Sequence, residues 1–244
     1  MPQQPRAAFH PASVACSIQA ATSQLMETAE SLNEREVQAP SLLPGWTRAH
    51  VLTHVARNAD GGRRLLVWAR TGVETSEYPS MQARAAEIEA GAVRSLAELV
   101  ADVRDSADKF AEEYARMSPQ AWQSTVRWTG GHLGPALQGA EGRLFEVLIH
   151  HVDLDAGYRP TDWPHAFTTQ ALADISAYMS TRADAPAVRL HAEDTQASYS
   201  IGDGQAGIPI HGTQAALLAW LLGRSAGDDL VAPTKCSIPK MPNL

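Results

Sequence analysis

Glu146 and His150 stand four residues apart in the stretch EVLIHHVDL, and His50 and His54 stand four apart in RAHVLTHVA. On an α-helix that spacing puts two side chains on one face, one turn above the other, so either pair presents two donors in one direction. Two histidines and a carboxylate form a zinc ligand set that leaves one tetrahedral position for water or a thiolate, as catalytic sites do. The spacing alone also allows a plainer reading, because E-x-x-x-H recurs by chance and a helical histidine beside an apolar face is commonly a hydrogen-bonded core residue. It leaves His50 and His54 as equal candidates for the third ligand. His151 lies about 100° round the helix from His150 and is expected to point elsewhere. Asp153, three residues after His150, is placed either to orient that ring by accepting a hydrogen bond or to serve as a structural or solvated aspartate. Asn58, four residues after His54, is expected to face the same cavity.

These residues need rigid elements to bring them together. Val14, Ile18, Leu25 and Leu32 recur at roughly helical spacing and predict a first amphipathic helix over 13–36. The segment from Pro40 to Trp46 breaks it; Pro44-Gly45 reads as a turn and Thr47 as the N-cap of a second helix running toward Trp68, with Gly61-Gly62 a weak point. A polar loop over 72–80 leads into an Ala-, Glu- and Arg-rich helix over 81–117, whose length predicts a break near Gly91. Residues 118–134, with Trp122, Trp128 and Gly130-Gly131, read as a connection with little regular helix. A fourth helix over 135–158 carries Leu144, Val147, Leu148 and Val152 on an apolar flank. Four long helices with such connections make a bundle, in whose core a residue of one helix meets a pair from another.

Beyond Pro160 the pattern changes. Residues 168–181 predict a helix, alternation around Val188, Leu190, Tyr199 and Ile201 predicts a strand, turn and strand, and 212–224 predict a last helix before a Pro-rich tail. The fold class expected is α+β, with a helical bundle over 1–160 and a small C-terminal α/β domain over 161–244.

Composition sets the outer limits. A chain of 244 residues, 44% hydrophobic and 19% charged, can bury a core large enough to enclose a site. Its net charge of -7 argues against nucleic acid as a partner. Cys16 and Cys236 form no C-x-x-C pair and suggest neither a zinc knuckle nor a disulfide framework, so thiol chemistry here would have to use a small-molecule thiol. The polar N-terminus has no signal-peptide core and no segment has a membrane-spanning apolar run, so a cytoplasmic protein is expected, without membrane partners.

The pieces SLLPGWTRAHVLTHVARNA, WARTGVETSEY, QARAAEIEAGA, EVLIHHVDL and LLGR occur in the order shown by the mycothiol-dependent maleylpyruvate isomerase family, which the chain resembles over nearly its whole length. The resemblance implies a DinB-like four-helix bundle joined to a small C-terminal α/β domain. It implies zinc as the metal, with His54, Glu146 and His150 as ligands. It places the family's functional arginine at Arg224, where it would bind a substrate carboxylate; on position alone that residue reads as a cation favoured at a helix C-terminus. Arg84, in QARAAEI, and Asn58 are the candidates for contact with the thiol cosubstrate or another anionic ligand, a surface ion pair being the alternative for Arg84.

The activity implied is thiol-dependent cis–trans isomerisation. Mycothiol would add to the cis double bond of maleylpyruvate, and its elimination after rotation would give fumarylpyruvate. The expected partners are a small-molecule thiol and a small anionic electrophile, bound by a monomer. Two alternatives share the same residues: a mycothiol S-transferase that releases the adduct, and a non-catalytic metal-binding regulator in which His50 closes the site.

Overall fold

The computed structural model describes residues 9–203, 207–233 and 237–242. Contacts between Cα atoms divide it into two compact units, one running to Tyr158 and the other starting at Arg159. Cys236 lies outside the described residues, and Cys16 is an exposed free thiol.

The first unit is built from α1 (Pro11–Ser31), α2 (Glu34–Val37), α3 (Arg48–Thr71), α4 (Met81–Gly91), α5 (Leu96–Ala115), α6 (Pro119–Gln123), the strands β1 (Thr125–Arg127) and β2 (Leu133–Pro135), and α7 (Leu137–Asp153). Helices α1 and α3 each pack against both α5 and α7, which closes the four longest into a bundle. Leu52, Val55, Ala59 and Leu66 line one flank of α3 at helical spacing and are buried, as are Leu99, Val103 and Phe110 on α5 and Leu148 on α7. Each such leucine withdrawn from water contributes roughly 2 kcal/mol. Among the described residues no helix is long and apolar enough to cross a membrane.

The loop before α3 is tied to the end of α7. Leu42 N–H donates to the Asp153 carbonyl at 3.0 Å. The Arg48 guanidinium donates to the carbonyls of Leu154 and Asp155 at 2.5 and 2.7 Å. These bonds satisfy carbonyls that the end of α7 leaves without helical partners, and they hold α3 and α7 in fixed register where the histidines lie.

Several elements depart from the sequence expectation for identifiable reasons. The first helix stops at Ser31 rather than residue 36, because Asn33 accepts from the N–H groups of Arg35 and Glu36 while Glu36 reaches back to the Asn33 N–H, starting α2 with a capping box. Gly61-Gly62 is no weak point: α3 runs straight through. A Cβ on Gly61 would lie 3.0 Å from Glu77 Cγ and one on Gly62 3.0 Å from the Phe110 ring, so both glycines admit close neighbours. The break near Gly91 does occur, and Ser95 caps the N-terminus of α5. Residues 118–134 hold a short helix and most of a small hairpin in which Thr125 pairs with Pro135, and α7 ends at Asp153, five residues before the expected 158.

The second unit contains α8 (His165–Ser180), the strands β3 (Val188–Ala192), β4 (Ser198–Ile201) and β5 (Ile208–Gly212), and α9 (Gln214–Leu221). The sheet order is β4-β3-β5, with β3 antiparallel to β4 and parallel to β5. Helix α8 packs on α9 and β4, and α9 packs on β3 and β5. Strand β5 was not expected. Its Pro209 weakens a strand signal, yet an edge strand tolerates a residue without an N–H.

Candidate metal centre

Helix α3 presents His54 into the bundle, where it is 4% exposed, and α7 presents Glu146 and His150 one turn apart on the facing side. His54 Nε2 lies 2.9 Å from Glu146 Oε2 and 2.9 Å from His150 Nε2, and His150 Nε2 lies 3.4 Å from Glu146 Oε2. Ligand atoms about 2.05 Å from a tetrahedral zinc lie about 3.3 Å from one another, so three donors already stand close to the spacing of a ligand shell. Among the described residues these three form the one group with donor atoms close enough to hold an ion.

Neighbouring groups fix how the rings present themselves. His150 Nδ1 donates to Asp153 Oδ2 at 2.8 Å, and Asp153 is fully buried. That bond places a proton on Nδ1 and leaves Nε2 to face the cluster, the arrangement by which carboxylates orient metal-binding histidines. On the other ring, His54 Nδ1 lies 2.9 Å from Arg84 Nη2, which α4 supplies. The Arg84 guanidinium sits 5.5 Å from the centre of the Tyr78 ring, and Trp46 stands edge-on to His54 with ring centres 5.7 Å apart.

Burial pushes the His54 imidazole down to about 4, outweighing its hydrogen bond to Glu146. For His150 burial also opposes the charge, but hydrogen bonds to Asp153 and Glu146 outweigh it and carry the group up to about 9. Burial alone would raise Glu146, yet its bonds to the two histidines hold it well below the usual carboxylate range. With both rings neutral, one proton arrangement serves the three closest pairs: His54 Nε2–H is shared between Glu146 and His150, and Nδ1 accepts from Arg84. Protonating His150, as its two carboxylate neighbours favour, leaves two N–H donors facing each other across 2.9 Å. A cation at the centre removes that conflict, because both Nε2 lone pairs then point inward; the residues present fit a divalent metal.

The remaining sequence candidates fall in different places. His50 does not join the cluster: its Nδ1 accepts from the Thr47 N–H at 3.1 Å and lies 2.8 Å from the Thr47 hydroxyl, while Nε2 faces Glu89 at 3.4 Å. It caps the start of α3. His151 points elsewhere, 2.7 Å from the Thr28 hydroxyl and stacked on Tyr158. Arg84 reaches the cluster through His54. Asn58 is engaged by Arg143, whose Nη1 donates to Asn58 Oδ1 and to the Val55 carbonyl at 2.8 Å each. Arg224, in the second unit, donates to the carbonyl of Leu222 at 2.7 Å, just past the end of α9.

Sequence reasoning missed Trp46, Tyr78 and Arg143. Arg143 had a signal, since it precedes Glu146 by three and His150 by seven and so shares their helix face. Tyr78 lies in a loop without periodicity and gave none. A cavity of about 800 Å³ lies between α1 and α5 and contains none of the three donor residues. Converging donor atoms, rather than volume, identify this site.

The model of the mycothiol maleylpyruvate isomerase N-terminal domain matches residues 18–155, and that of the MDMPI C-terminal domain matches residues 162–234. No curated protein matches the sequence. Two solved structures resemble the chain, a crystal structure of the mycothiol-dependent maleylpyruvate isomerase and one of its histidine-to-alanine mutant. Each is 27% identical, with a TM-score of 0.91 over 97% of this chain and 98% of the other.

Proposed function

This chain belongs to the mycothiol maleylpyruvate isomerase family, and we propose that it isomerises maleylpyruvate to fumarylpyruvate with mycothiol as cosubstrate and zinc at His54, Glu146 and His150. The observation that carries the reading is the convergence of those three donor atoms with His50 committed to Thr47. A regulator with a closed site needs a fourth protein ligand, and His50, the candidate the sequence offers, is already bonded to Thr47. Three ligands leave a position for a thiol.

Zinc held there would favour the thiolate of a coordinated thiol at neutral pH. The cosubstrate's sulfur forms a C–S bond with the cis double bond, and the displaced electron pair moves onto the conjugated carbonyl as an enolate. The former double bond is then single and rotates. Return of the electron pair expels the thiolate and leaves the trans isomer, so the thiol is not consumed.

The chain's own residues position and neutralise. Asp153 holds His150 with Nε2 inward. Were zinc held through His54 Nε2, that ring's proton would lie on Nδ1, opposite the Arg84 N–H that now stands 2.9 Å away. The Arg84 guanidinium would then be available beside the site for an anionic ligand. Arg224 is assigned the substrate carboxylate and the developing enolate charge, for which a planar fork of donors suits better than a point charge. Asn58, held by Arg143, is left a supporting role.

The test is incubation of purified protein with mycothiol and maleylpyruvate, followed by ultraviolet absorbance and mass spectrometry. Fumarylpyruvate without adduct is expected. Accumulation of a thiol adduct would make the enzyme an S-transferase, and turnover with neither zinc nor thiol would overturn the reading.

A further inference from the structure

The cavity between α1 and α5 has a construction of its own. Where two packed helices would ordinarily interdigitate large side chains, α1 offers Ala15 and Thr22 and α5 offers Ala107, and the space between them stays open to about 800 Å³. Ile18, Phe110 and Trp122 supply apolar walls. This volume is in the range of small-molecule sites.

Two polar atoms of its lining are buried and unsatisfied. Arg143 lines the cavity yet is only 3% exposed. Its Nη1 is occupied by Val55 and Asn58, whereas Nη2 is buried without a hydrogen-bond partner, and so is the hydroxyl of Thr22. A buried cation with an unused donor is costly unless something accepts from it. Among the described residues no carboxylate pairs with Arg143. The lining also includes Glu27, Glu30 and Asp108, with Arg104 paired to Glu30. That surplus of carboxylates disfavours ligands carrying several negative charges.

We propose that the cavity between α1 and α5 is a second ligand site, separate from the metal centre, which takes an apolar monocarboxylate with its head on Arg143 Nη2 and the Thr22 hydroxyl. The apolar walls take the chain of the ligand, and the single buried guanidinium sets its charge at one. A monocarboxylate fits these facts better than a neutral apolar molecule, which would leave the guanidinium unpaired, or a phosphate, which would bring excess charge past the acidic groups.

The experiment is isothermal titration of the zinc-loaded, full-length protein with decanoate and, separately, with decan-1-ol. Decanoate is expected to bind at least ~10-fold more tightly than the alcohol, the scale of a charge-assisted bond. Arg143→Met should abolish that preference while both ligands still bind. Because loss of Arg143 could itself disturb the bundle, a second variant leaves it in place: Ala15→Trp fills the cavity and should abolish binding of both ligands with zinc content unchanged. Equal affinity for acid and alcohol in the unaltered protein, no binding of either, or undiminished decanoate binding in Ala15→Trp would each overturn the proposal. Water in the cavity would then account for the unused donors.

Discussion

Replacing Asp153 with Asn should change zinc affinity by an amount that depends on pH, and the sign of that dependence follows from the geometry. Asp153 is fully buried with Oδ2 2.8 Å from His150 Nδ1. An asparagine oxygen still accepts the bond but lacks the charge, and loss of such support typically costs about 10–100-fold in metal affinity. The same carboxylate helps carry His150 up to about 9, so at pH 7 a proton competes with the metal for Nε2. Two pH units of competition amount to about 2.7 kcal/mol, or roughly 100-fold. In the wild type, zinc affinity should therefore rise about tenfold per pH unit from 7 until it levels near 9. Asp153→Asn weakens the competitor as well as the ligand. At pH 9 and above the variant should bind about 10–100-fold more weakly than wild type, and the gap should narrow as pH falls toward 6.5. Competition against a chromophoric chelator across this range measures both curves, with thermal unfolding to confirm the fold. Parallel curves, separated by the same factor at every pH, would refute the claim that Asp153 sets the proton on His150.

His54→Ala should lose most of its zinc while His50→Ala keeps it, losing instead about 1 kcal/mol of stability as a helix cap; metal analysis and thermal melts on the pair distinguish the two. Arg84→Met should hold zinc at least as tightly as wild type, because it removes the donor that opposes a proton on His54 Nδ1, yet bind anionic ligands more weakly in direct titrations. Arg224→Lys should leave zinc content unchanged and lower turnover on the order of 100-fold, about 3 kcal/mol of lost transition-state stabilisation; near-normal activity would return this arginine to capping the end of α9. The metal-free protein should be most stable near pH 6.5 in thermal melts. Below it stability falls as the unfolded chain, but not buried His54, takes up a proton; above it stability is lost as His150 titrates through about 9.

The bundle was legible because its helices carry apolar residues at a constant period, and Leu52, Val55 and Leu148 are buried where that period puts them. What escaped notice was set by local polar groups or by partners distant in sequence. Asn33 restarts a helix with one side chain, and β5 pairs with β3 in a register 20 residues apart, as Val188 opposite Ile208 shows, neither of which alters apolar periodicity. The donor cluster was half legible: i,i+4 spacing paired Glu146 with His150, but His50 and His54 have the same spacing, and it takes the fold to turn His54 to that pair and His50 to Thr47. Arg84 is a polar residue on an exposed-looking helix, and nothing in its own segment signals that it reaches a histidine thirty residues earlier. Asn58 shows the limit of shared-face reasoning, since Arg143, a residue of another helix, claims its oxygen.

The most direct measurement is a zinc titration of metal-free protein in which bound metal and isomerisation of maleylpyruvate are followed in the same samples, with and without mycothiol. Activity should rise in proportion to bound zinc, reach its plateau at about one ion per chain, and be absent without the thiol. Full activity in the chelated protein, or a plateau reached with no mycothiol present, would contradict the assignment.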